Sequence, residues 1–69
     1  MNRHTLQSGN FRYRFNVFGD GTVGIVNHIE VEVGDWQHNN YGTIPNDIYK
    51  ITEARLLYRE LLDRGYKKV

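Results

Sequence analysis

Two runs of alternating residues, joined by a glycine turn, constrain this chain more than any other feature. Residues 11–18 read FRYRFNVF, residues 22–33 read TVGIVNHIEVEV, and Gly19-Asp20-Gly21 lies between them. Alternation with period two marks a strand that buries one side. Phe11, Tyr13, Phe15 and Val17 share one side of the first run; Val23, Ile25, Ile29, Val31 and Val33 share one side of the second. Gly-Asp-Gly is a turn sequence, so the two runs predict an antiparallel hairpin.

The apolar sides also select the register. A two-residue turn at Asp20-Gly21 would set Phe15 against Val26 and bring the aromatic side beside His28 and Glu30. A three-residue loop instead sets Phe18 against Thr22, Val17 against Val23, Phe15 against Ile25 and Phe11 against Ile29. Slipping by one residue turns every side chain to the other face, so the register that keeps the apolar faces together is expected. A three-residue loop with glycine in the left-handed position is a common hairpin link. This register puts Asn27 opposite Tyr13 inside the apolar face, where a bulge or a side-chain hydrogen bond is expected.

Residues 53–65, EARLLYRELLDRG, are rich in helix formers, lack β-branched residues and end on Gly65. Thr52 is expected as the N-cap, with Glu53 near the positive end of the helix. The core-facing stripe is Ile51, Ala54, Leu57, Tyr58, Leu61 and Leu62, while Leu56 stands on the polar side among Glu53, Arg59, Glu60 and Asp63. After Gly65, residues 66–69 are expected to return as a short strand. Residues 34–44, GDWQHNNYGTI, are expected to form a long loop, and Pro45 to open a helical turn; whether 45–64 is one helix or two stays open. Residues 1–10 are polar, end in Ser8-Gly9-Asn10 and are expected to be a flexible arm. The expected fold is α+β. Its hairpin strands lie near 11–18 and 22–33, a helix near 52–64 packs on their aromatic face, and a short third strand lies at 66–69, in one domain spanning 11–69.

Size and composition narrow the function. A chain of 69 residues holds one small domain with a thin core. The absence of cysteine excludes disulfides and thiolate metal sites. No apolar run approaches the ~20 residues of a membrane span, and residues 1–10 lack the apolar stretch of a signal peptide. A soluble, cytoplasmic protein without a membrane partner is expected. His4, His28 and His38 lack metal-ligand spacing, and GDGTVG lacks the lysine and helix of a phosphate loop. Glu30 and Glu32 are expected to answer Arg12 and Arg14 across the strands rather than work as an acid–base pair. The expectation is a non-catalytic chain with no cofactor and no metal.

Residues 1–18 carry Arg3, Arg12 and Arg14 and no acid; residues 19–47 carry five acids and no Lys or Arg; residues 48–69 carry six bases and three acids. Such complementary blocks are expected to satisfy much of their charge internally. The chain is therefore expected to act as a small binding, adaptor or regulatory protein whose partner is another protein. Trp36, Tyr41 and Leu56 are the apolar candidates for the contact, and Arg12 and Arg14 the electrostatic ones. For Trp36 a role as a lid on one end of the core is expected ahead of the contact role. Pairing of two copies through a sheet edge is a further route to a partner. The second reading is single-stranded nucleic acid held by Arg12, Arg14, Arg64, Lys67 and Lys68. It ranks second because the aromatics and arginines of residues 11–18 fall on opposite faces. The order of hairpin, Ile44-Pro45, helix, Gly65 and terminal strand is loosely similar to the small linker domain of phycobilisome rod caps. That similarity is one of element order and carries no residue role to this chain.

Overall fold

In the computed structural model, which describes residues 2–69, the chain forms six strands and one helix. They are β1 (Asn2–Ser8), β2 (Phe11–Val17), β3 (Thr22–Glu32), β4 (Asp35–His38), β5 (Asp47–Lys50), α1 (Ile51–Asp63) and β6 (Lys67–Lys68). This is an α+β fold whose strands all pair antiparallel in one sheet. The order across the sheet is β4-β3-β2-β1-β6, with β5 lying beside β3 on the same edge as β4.

The β2–β3 hairpin has the register that burial demands: Val17 faces Val23, Phe15 faces Ile25, Tyr13 faces Asn27 and Phe11 faces Ile29. Its loop is Gly19-Asp20-Gly21, closed by the Phe18 N–H donating to the Thr22 carbonyl at 3.0 Å. Gly21 takes φ +87°, the left-handed conformation that the three-residue loop requires. Asp20 ties the loop by accepting from the Thr22 hydroxyl at 2.5 Å and the Thr22 N–H at 3.1 Å. Those bonds hold its carboxyl below the usual range.

Residues 2–8 are not an arm. They pair residue for residue with β2, from Asn2 opposite Val17 to Ser8 opposite Phe11, and Leu6 is fully buried. Gly9-Asn10 is the two-residue turn of this second hairpin, with Gly9 at φ +56° where such a turn needs a positive value. Met1 lies outside the described residues. Part of the expected loop is also strand: β4 pairs with the far half of β3 across a bulge at Glu30–Glu32. Pro45 opens no helix. β5 follows it and pairs with Thr22–Ile25, so the two halves of the long β3 edge have different partners. Between them the Asn27 carbonyl accepts from the Asn39 N–H at 2.8 Å, and the Asn27 N–H donates to Asn46 Oδ1 at 2.6 Å. The Asn27 backbone is thus satisfied without the expected bulge. Its side-chain amide is buried with both polar atoms unpartnered among the described residues.

One helix follows β5 directly. Lys50 occupies the capping position without a side-chain bond, and Thr52 lies inside the first turn rather than capping it. The first helical N–H, that of Ile51, donates instead to the Gly21 carbonyl at 3.0 Å, so the hairpin loop caps the helix. The end is a Schellman motif. There Tyr66 N–H donates to the Leu61 carbonyl, Gly65 N–H donates to the Leu62 carbonyl, and Gly65 sits at φ +97°. A helix of 13 residues is about 20 Å long. Four strand spacings, the distance from β5 to β6, come to about 19 Å. The helix therefore carries the chain from one edge of the sheet to the other, where Lys67 and Lys68 pair with Gln7 and Leu6.

Helix and sheet enclose Leu6, Tyr13, Phe15, Val23, Ile25, Ile44, Ala54 and Leu61 as one core. Phe15 meets Tyr58 edge-on at 5.2 Å and Tyr13 meets Tyr66 at 5.5 Å. Phe11, Val31, Val33 and Leu62 share the core side by periodicity but remain exposed, and no element among the described residues extends over Val31 and Val33.

Candidate functional site

The helix covers one face of the sheet and leaves the other open. Strand alternation decides what that open face carries. In one cross-strand row stand Lys67, Gln7, Arg12, His28 and His38, contributed in turn by β6, β1, β2, β3 and β4. Beside it run Thr5, Arg14 and Val26, and then Arg3, Asn16 and Gly24. Trp36 pairs with Glu30 on the other flank, and the Arg12 guanidinium lies 4.0 Å from the centre of its ring. Arg12 Nε is fixed by donating to Gln7 Oε1 at 2.8 Å. Stacked and hydrogen-bonded, Arg12 is a half-buried, positioned cation on this face.

The expected neutralisation of these arginines by glutamates does not occur. Among the described residues the ion pair formed is Arg64 with Glu60, at 2.7 Å on the exposed side of α1. Glu30 turns away to accept from the Gly34 N–H at 2.8 Å in the β3–β4 turn, and Glu32 lies beyond the bulge. The open face thus holds Arg3, Arg12, Arg14 and Lys67 with no carboxylate within ion-pair distance. The His28 ring lies 4.9 Å from that of His38. Burial, then Arg14, His38 and Arg12, hold His28 below its ordinary value of 6.5.

The sign of the pH dependence follows. A base whose folded pKa is depressed binds fewer protons folded than unfolded, so its protonation opposes folding. Stability is expected to fall as pH drops through the ordinary histidine range and to level off below the folded value. Replacing His28 by Gln should flatten that part of the profile, as read by chemical denaturation at a series of pH values.

The structure divides the five sequence-derived candidates. Arg12, Arg14 and Trp36 come together on the open face. Tyr41, 96% exposed, sits in the loop between β4 and β5, and Leu56, 70% exposed, projects from the helix on the opposite side of the molecule. Trp36 is no core lid, because β4 places it on the outer face beneath Arg12. Lys67, a candidate of the nucleic-acid reading, also belongs to the surface, as do Arg3 and the His28–His38 pair, which are absent from the sequence-derived candidates. Arg3 and Gln7 would have emerged had Gly9-Asn10 been taken as a hairpin turn, since His4 and Leu6 alternate with them. No three His, Asp or Glu side chains among the described residues are grouped to hold a metal ion. No helix among them is long and apolar enough to cross a membrane.

Fold and surface together define a small antiparallel sheet backed by one helix, with one cationic face open. Comparison with protein-family models, with curated proteins and with solved structures finds no match to this chain.

Proposed function

We propose that this chain is a non-catalytic binding module that docks an acidic protein surface across its open sheet face. The observation that supports this reading is an open face on which Arg3, Arg12 and Arg14 have no carboxylate partner and Arg12 stacks on Trp36. Arg and Trp are the residue types that dominate interface energetics, and charge complementarity steers encounter and selects partners. Arg12 is already positioned by Trp36 and Gln7, so less side-chain freedom is lost when it engages a carboxylate.

Single-stranded nucleic acid is the second reading, favoured by Lys67, Arg3, Arg12 and Arg14 spread over three strands of the open face. It ranks second because stacking needs an uncovered ring, and the Trp36 ring is half-buried with a guanidinium against it. Arg64 is occupied with Glu60 on the helix, away from this face, and Lys68 lies on the core side of β6. Self-association through a sheet edge would use the outer edge of β4 or the Asn2–His4 part of β1, which have no neighbouring strand among the described residues. A cytoplasmic location accompanies this reading.

The test is quantitative affinity capture with the wild type, with Arg12→Glu/Arg14→Glu and with Leu56→Ser, each with and without nuclease. A nuclease-resistant partner lost from the arginine variant and retained by Leu56→Ser is expected. Loss on nuclease treatment would move the function to the second reading. Equal capture by all three proteins would remove the open face from the function.

A further inference from the structure

The covered side of the sheet is not fully closed. Between the helix stripe Ile51, Ala54, Arg55 and Tyr58 and the adjoining ends of β1, β2 and β3 lies an open groove of about 420 Å³. Its floor is apolar and rigid: Phe15 and Val23 are core residues, and Val17 packs against them. Its rim is polar, formed by Asn2 and His4 of β1, Lys68 of β6 and Arg55 of α1. Neither Arg55 nor Lys68 is in an ion pair among the described residues, and no Asp or Glu lines the groove. The groove is open because β6 covers only the Leu6–Gln7 part of the β1 edge, leaving Asn2 and His4 beside it.

Volume, floor and rim together specify a ligand. Small-molecule sites span about 300–1,000 Å³ and combine an apolar lining with a few orienting polar groups. A cationic rim over an apolar floor favours a ligand that is apolar at one end and anionic at the other. We propose that this groove binds a small amphipathic carboxylate, with its hydrocarbon part over Phe15, Val17 and Val23 and its carboxylate held by Arg55 and Lys68. Asn2, His4 and the Tyr58 hydroxyl are the polar groups at hand to orient the head group. The site lies on the opposite side of the sheet from Arg12 and Trp36, so it is independent of the docking surface.

The experiment is an NMR titration of backbone amides with dodecanoate, kept below its micelle concentration, and with dodecyltrimethylammonium as the cationic match. Dodecanoate should shift the amides of Val17, Val23 and Ala54 and bind about tenfold tighter than the ammonium. Arg55→Glu/Lys68→Glu, at two exposed positions, should abolish that preference while keeping a dispersed spectrum. Arg12→Glu should leave it unchanged. Absent shifts at these residues, equal binding of the two amphiphiles, or an unaltered preference in the double variant would overturn the proposal.

Discussion

Leu6→Ala is expected to cost about 3 kcal/mol, within the range for emptying a fully buried leucine site. A domain of this size has a total stability of about 3–10 kcal/mol, so the substitution should remove between about a third and all of it. The reason lies in the topology. Among the described residues, β1 alone joins the β2–β3 hairpin to β6, and Leu6 is its one fully buried apolar side chain. Gln7→Ala, next in the chain but on the open face, should cost a fraction of that. Urea denaturation followed by circular dichroism measures both. A loss below about 1 kcal/mol for Leu6→Ala would detach β1 from the core and return residues 2–8 to an arm.

Gly42→Ala should be nearly as damaging, although it adds one methyl group in a loop. A Cβ at this position would overlap the Asn27 amide nitrogen and lie 2.8 Å from its Cγ and 3.1 Å from the Tyr13 hydroxyl. Asn27 and Tyr13 are both buried, so neither has room to retreat. Forcing the loop outward would strain the bonds by which Asn39 and Asn46 satisfy the Asn27 backbone. Overpacking of this kind costs about 1–3 kcal/mol. Gly19→Ala is the control, since a Cβ there meets nothing within 4 Å and the residue has no positive φ. In the background of Asn27→Ala, Gly42→Ala should lose most of its effect, and a double-mutant cycle measures that coupling. Additive losses would mean that the clash is not with Asn27.

The hairpin, its register and the helix were legible because each writes a strong period into the chain. Seven apolar positions across residues 11–29 admit one facing that keeps them together, and Gly65 stops a helix that lacks β-branched residues from Glu53 onward. β1 was not legible for the opposite reason. Leu6 is the only strongly apolar residue in Asn2–Ser8, so alternation has nothing to display, and Gly9-Asn10 passes for the end of an arm. β4 and β5 are four residues each and complete the edge of a strand already formed. Their identity is decided by what β3 leaves unpaired rather than by their own composition. Ile44 is buried for the same reason: the loop is pinned at Asn27 and folds over the core.

The docking surface was half legible. Alternation alone separates Arg12 and Arg14 from the core. Their neutralisation by Glu30 and Glu32 was a reasonable expectation from cross-strand distance, and the turn at Gly34 defeats it by drawing Glu30 away. Trp36 reaches the surface only because residues 35–38 form a strand in a register that sets Trp36 opposite Glu30. Local sequence carries no trace of that register.

The claim on which the functional reading rests is that the open face is positively charged and unneutralised. His28, in the row beside Arg12 and Arg14, is its built-in reporter. The decisive measurement is the titration of the His28 ring by NMR in the wild type and in Arg14→Gln. The account predicts a midpoint below 6.5 in the wild type, which moves upward when the Arg14 charge is removed. A midpoint that does not move when the Arg14 charge is removed would mean that this charge is already neutralised at the face and would contradict the account.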